Sequence, residues 1–181
     1  MFIKRICYPV TTLGPGLRIG IWVTGCKKNC PGCMSPELQS KEAGRQITVE
    51  AILNMLDTVD GRVDGVTISG GEPFLQPDEL KSLVRGIRER ITEDIIVYSG
   101  YTLSELKEQS NQSIAAVLEN ISVLIDGPYV DELNDGMGIR GSSNQNVHVF
   151  HPVADYQDLA HCKRSIQSFR YNNQILLIGI Q

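Results

Sequence analysis

Short apolar runs alternate with amphipathic stretches along the chain. Residues 18–24 (RIGIWVT), 65–69 (GVTIS), 94–98 (DIIVY) and 121–125 (ISVLI) each read as a buried strand. They are too short for helices and are bounded by Gly, Pro or Asp turn residues. Between them, apolar positions recur at helical spacing. Residues 48–59 predict a helix with Thr48 as N-cap and Ala51, Ile52, Met55, Leu56 and Val59 on its buried side. Residues 77–90 predict another, with Leu80, Leu83, Val84 and Ile87 at i, i+3, i+4 and i+7. Thr102 caps a short helix, and residues 113–118 form a further one. This alternation predicts right-handed βαβ units, hence an α/β fold with mostly parallel strands. Ligands of such sheets sit beyond the carboxyl ends of the strands. Cys26, Gly70, Gly71, Glu72, Ser99 and Asp126 fall there.

The last part of the chain differs. Residues 146–153 and 173–180 read as β segments around a polar helix at 156–169. We therefore expect one domain over residues 1–145 with a small C-terminal β extension, 146–181, packed on it; 181 residues suit that size. With 41 % hydrophobic and 21 % charged residues, the chain can build a core and a soluble surface. Its net charge of −4 argues against a general nucleic-acid binder. No apolar run approaches the ~20 residues that cross a bilayer. Residues 1–10 carry Lys4 and Arg5 without the apolar stretch of a secretion signal.

Composition matters most at the cysteines. There are five, an odd number, and Cys26, Cys30 and Cys33 crowd into the segment CKKNCPGC. A secreted disulfide framework would spread and pair them. Crowded thiols read as metal ligands in a reducing cytosol, so we expect a cytoplasmic protein. A [4Fe–4S] cubane is usually held by four thiolates. This loop supplies three, which leaves one iron without a ligand, and an open coordination position is where chemistry occurs. The alternative is a zinc site, which would want four ligands. No second cysteine pair exists, and Cys7, His148, His151, His161 and Cys162 are scattered. His148 and His151, three apart on a strand, face opposite sides. Cys7, Cys162 and Trp22 read as core.

A C-x3-C-x2-C loop after one strand and Gly70-Gly71-Glu72-Pro73 after the next resembles the radical S-adenosylmethionine superfamily. Gly14-Pro15-Gly16, Cys30-Pro31-Gly32-Cys33, Ser99-Gly100-Tyr101, Asp126-Gly127 and Arg140-Gly141-Ser142-Ser143-Asn144-Gln145 narrow the likeness. Over about residues 8–145 the chain resembles the anaerobic ribonucleoside-triphosphate reductase-activating family, with Met34-Ser35 where that family carries Tyr-Asn. The resemblance implies an incomplete (β/α) barrel of radical S-adenosylmethionine type with a [4Fe–4S] cluster on Cys26, Cys30 and Cys33. It implies that S-adenosylmethionine chelates the open iron and is cleaved reductively to methionine and a 5′-deoxyadenosyl radical. That radical would take a hydrogen atom from a glycine Cα of a large glycyl-radical enzyme, such as anaerobic ribonucleotide reductase. So short a chain leaves the barrel with an open lateral mouth, which suits a loop offered by a large partner.

Individual residues carry paired readings. Gly70 and Gly71 form a backbone cradle for the methionyl amine, with Glu72 adding negative charge, or an ordinary tight turn. Gly32 and Met34 flank Cys33 on the adenine side. Ser99 and Asp126 offer a hydroxyl and a carboxylate to the ribose, or Asp126 simply builds the Asp-Gly-Pro turn. Lys27 and Lys28 dock an acidic flavodoxin- or ferredoxin-like electron donor, or are solvated. Two rival functions stay open: a radical enzyme acting on a peptide, nucleotide or other substrate, and a non-enzyme that is an iron–sulfur electron carrier or zinc-held adaptor.

Overall fold

The computed structural model describes residues 1–171 and 174–180. Its elements are β1 (Phe2–Val10), β2 (Arg18–Val23), β3 (Arg45–Gln46), α1 (Val49–Asp57), β4 (Gly65–Gly70), α2 (Pro77–Arg90), β5 (Ile95–Tyr98), α3 (Leu103–Glu108), α4 (Gln112–Asn120), β6 (Val123–Asp126), β7 (Asn146–Val149), β8 (Gln167–Tyr171) and β9 (Gln174–Ile178). Short 3-10 turns link several of them.

The strands and helices expected between residues 18 and 125 form within two residues of their expected ends. Thr48 accepts the Ala51 N–H, and Thr102 closes a capping box with Glu105, each cap worth about 1 kcal/mol. β2, β4, β5 and β6 pair in parallel in that order, with Val23 opposite Gly70 and Tyr98 opposite Ile125. They form the centre of a seven-stranded mixed sheet, β3-β1-β2-β4-β5-β6-β7. A strand order that advances in one direction, joined by right-handed crossovers, puts every helix on one side. Ile21, Val23, Ile68, Val97 and Leu124 accordingly pack with Leu53, Leu83 and Val117 of the helices. On the opposite face, Ile96, Val123 and Ile125 pack against Ile139 and Leu159. Burial on both faces explains why these strands read as continuous apolar runs rather than alternating ones.

At the amino ends of the strands, Arg18 is fully buried. Its guanidinium donates to both Asp94 carboxylate oxygens (2.8 and 2.9 Å), to Thr67 Oγ1 (2.7 Å) and to the Val66 carbonyl (2.9 Å). Tyr156 donates to the same carboxylate at 2.7 Å. This clamp locks the end of the sheet opposite the cysteines.

Residues 1–10, for which the sequence predicts no element, form β1, which pairs antiparallel with β2. Two expectations are corrected. The polar helix at 156–169 does not form. Asp158 is left-handed (φ 61°), and the Leu159 and Cys162 carbonyls accept the Ile139 and Gly138 N–H groups instead of serving a helix. The β segment at 146–153 stops at Val149, where its antiparallel partner β6 begins at Val123. The last β segment is present as β9, although Asn173, its expected first residue, lies outside the described residues. β8 and β9 form a separate two-stranded sheet. It packs through Phe169, Leu176 and Ile178 on Val10, Leu13 and Trp22. No helix among the described residues is long and apolar enough to cross a membrane.

Candidate functional site

The carboxyl ends of the parallel strands surround a cavity of about 410 Å³. Cys26, Cys30 and Cys33 all line it, as do Met34 and the turn at Gly70, Gly71 and Glu72. All three thiols are free. Among the described residues no three His, Cys, Asp or Glu side chains converge as the ligands of a single ion would.

The cysteine loop leaves β2 through Gly25, whose N–H donates to the Leu38 carbonyl (2.9 Å), while the Cys26 N–H donates to Gln39 (2.8 Å). A turn then brings the Cys33 N–H to the Cys30 carbonyl at 3.2 Å. Burial pushes the Cys26 thiol above its usual pKa; the Lys28 N–H opposes this and the Glu72 carboxyl adds to it. Lys28 is not a free surface charge. Its ammonium lies 3.1 Å from Glu105 Oε1 and 4.1 Å from the centre of the Tyr101 ring. It thereby straps the loop to the start of α3, and of the two loop lysines only Lys27 is exposed.

Gly70 and Gly71 are forced by close backbone approach. The Gly71 N–H donates to the Val23 carbonyl (2.9 Å) and the Glu72 N–H to Gly25 (2.8 Å), stitching this turn to the loop that carries Cys26. A Cβ on Gly70, at φ 111°, would stand 2.4 Å from the Val23 oxygen; one on Gly71 would stand 2.5 Å from the Gly25 oxygen. Close packing therefore demands the tight turn, and both glycines also line the cavity.

Glu72 is 1 % exposed. Its Oε1 accepts from the Phe74 N–H and the Ser99 hydroxyl, both at 3.0 Å, and its Oε2 from the Gly100 N–H at 2.7 Å. Burial outweighs these bonds and pushes its pKa up to about 7. The carboxyl thus ties the end of β4 to the end of β5. Ser99 lines the cavity, but its hydroxyl proton is committed to Glu72 and its oxygen accepts the Tyr101 N–H at 3.0 Å.

Two expected residues are not among those lining the cavity. Asp126 is buried, and its carboxylate accepts from the Leu103 N–H and from Asn146 Nδ2 (3.1 Å), with His148 Nε2 at 3.1 Å. It fixes the start of α3 and the edge strand β7, so its oxygens are occupied. Gly32 packs against Asp131, 2.9 Å from where its Cβ would be. His148 and His151 stay separate, the latter 3.0 Å from the Glu119 carbonyl.

Other lining residues were not expected. Trp22, read as core, is only half-buried and lines the cavity beside Leu13. Gln145 lines it as well; its amide accepts the Gly141 and Ser142 N–H groups and donates to the Gly127 carbonyl. Arg164 donates to the carbonyls of Arg140 (2.6 Å) and Gly141 (3.1 Å), holding that loop from behind. Residues 176–180 line the cavity from the far side. Gln145 was visible as part of a motif, whereas nothing local in sequence signals the approach of β9.

A profile of the 4Fe-4S single cluster domain matches residues 12–148, which puts this α/β chain among the 4Fe-4S single cluster domains. The chain is 38 % identical over 149 residues to the anaerobic ribonucleoside-triphosphate reductase-activating protein of Escherichia coli (strain K12), covering 78 % of this chain and 94 % of that protein. The same-named protein of Vibrio cholerae serotype O1 is 35 % identical over 152 residues (79 % and 95 %), and that of Enterobacteria phage T4 29 % over 138 (74 % and 85 %). The chain belongs to the family of anaerobic ribonucleoside-triphosphate reductase-activating proteins.

Proposed function

We propose that the chain activates an anaerobic ribonucleoside-triphosphate reductase by generating a glycyl radical on it. The observation that carries the reading is the meeting of three thiols from one loop with the Gly70–Glu72 turn around one cavity. Donor chemistry fits a [4Fe–4S] cluster: thiolates bind its irons, and each attaches to a separate corner, so the donors need not converge as those of one ion do. Cys26, Cys30 and Cys33 would hold three corners. A bound cluster would supply the electron for reductive cleavage of S-adenosylmethionine to methionine and a 5′-deoxyadenosyl radical, which would take a hydrogen atom from the glycine. S-adenosylmethionine would lie along the backbone of Gly70 and Gly71 with Met34 beside it.

The chain's own contribution is to position and to exclude water. Glu72, Ser99 and Gly100 fix the strand ends, Lys28 holds the cysteine loop, and Leu13 and Trp22 present apolar surface to the cavity. We read the sheet as an incomplete barrel and the chain as one domain, residues 1–145 with the extension 146–181 packed on it, working in the cytoplasm. A flavodoxin- or ferredoxin-like donor would approach the cysteine loop at Lys27.

Anaerobic reconstitution tests the reading. We expect about four irons and four sulfides per chain, a cluster spectrum perturbed by S-adenosylmethionine, and a glycyl radical signal in the cognate reductase. Zinc alone, or a cluster indifferent to S-adenosylmethionine, would overturn it.

A further inference from the structure

β9 pairs with β8 alone among the described residues. Leu176, Leu177 and Ile178 all line the cavity. Successive side chains of a strand point to opposite faces, so three successive residues on one cavity present the strand's edge to it. That edge lacks the usual protection. Native edges carry charges, proline or a covering element, but β9 reads QILLI, with no charge and no proline. Ile175 is 74 % exposed and Leu177 53 %. The base of the hairpin is anchored: Gln167 accepts the Thr11 N–H and donates to the Pro9 carbonyl, and Thr12 donates to the Ile178 carbonyl. A firmly held, unguarded strand edge therefore borders the cavity that the three cysteines line. It also lies beyond residues 12–148, the stretch matched by the cluster-domain profile.

We propose that the free edge of β9 receives an extended segment of the reductase as an added strand, which carries the glycine Cα into the cavity. The inference rests on the activase reading above and names the surface that serves it. Strand addition suits the chemistry. Main-chain hydrogen bonds fix the backbone of the incoming segment, and the reacting atom is itself a backbone carbon. They also tolerate a glycine, which has no side chain to be gripped. Ile175 and Leu177 then cover apolar side chains beside it. A second copy of this chain on the same edge would lie across the cavity and close it to the reductase, so we assign the edge to the reductase.

Hydrogen exchange of the full cluster-loaded chain, with S-adenosylmethionine and with or without the purified reductase of the same organism, tests the proposal. Those amides of residues 174–178 that do not face β8 should exchange at least ~10-fold more slowly with the reductase present, and Ile175→Asp should weaken binding about tenfold, a factor that corresponds to 1.4 kcal/mol. The two proteins are compared at equal iron content. Reductase binding that leaves these amides unprotected would overturn the strand-addition proposal while sparing the activase reading. Protection that appears without reductase and grows with chain concentration would overturn it in favour of self-association. No binding to the reductase at all would remove the activase reading and the proposal with it.

Discussion

Glu72→Gln separates the two things that the buried carboxyl does. In the native chain its pKa rises from 4.5 to about 7, with desolvation the largest cause. Between those values the folded chain holds a proton that the unfolded chain has released. Stability therefore falls as pH rises through this window and levels off above about pH 7. At ~1.36 kcal/mol per pH unit, the rise amounts to about 3 kcal/mol. The site is fully buried, so solvent screening takes little from that figure. Glutamine has no ionised form to penalise, but its amide places a donor where one carboxylate oxygen now accepts, leaving a buried N–H such as that of Gly100 unpaired. That costs about 1–3 kcal/mol at every pH. The variant should be clearly weaker than the native chain at pH 5 and close to it, or stronger, at pH 8. Urea unfolding of the cluster-free protein under reducing anaerobic conditions, run from pH 5 to pH 8, measures the difference. Other titrating groups cancel between the two proteins. Parallel stability profiles across the range would refute the assignment of a buried, reluctantly ionised carboxyl.

Further outcomes follow from other residues. Cys26→Ala, Cys30→Ala and Cys33→Ala should each abolish S-adenosylmethionine cleavage and lower iron retained after reconstitution, while Cys7→Ala and Cys162→Ala retain both; iron analysis and product assay decide. Arg18→Met leaves Asp94 and its partners buried without their cation, which should cost about 3–5 kcal/mol. In a chain of this size that lowers Tm by roughly 6–20 °C in a thermal melt, and a drop of under 2 °C would contradict the clamp. Gly70→Ala, forced to φ 111° with its Cβ against the Val23 oxygen, should lose at least ~2 kcal/mol by denaturation and retain less cluster than the native chain.

The parallel centre of the fold was legible because strands buried on both faces and helices with one apolar stripe leave different periodicities. Local chemistry was legible for the same reason: Thr48 and Thr102 act on residues three positions away. What sequence hid was non-local. β1 shows little alternation because its burial is set by β2 and β3 on either side, so its pattern gives no strand signal. The expected helix at 156–169 was lost to amide partners at Gly138 and Ile139, twenty or more positions upstream. The three cysteines and the Gly70–Glu72 turn do line one cavity, as their order on the strands predicts. Asp126 occupies the expected strand end but bonds to Leu103 and Asn146, a choice that side-chain identity alone could not reveal.

The backbone stitch between the Gly70–Gly71 turn and the loop after β2 bears on how this lineage can diverge. Both glycines are demanded by packing alone, so a descendant that had abandoned its cofactor would still be obliged to keep them in order to fold. The thiols answer to no such steric demand and would drift freely once the chemistry lapsed. Genome surveys for inactive cousins should therefore look for intact paired glycines beside eroded cysteines.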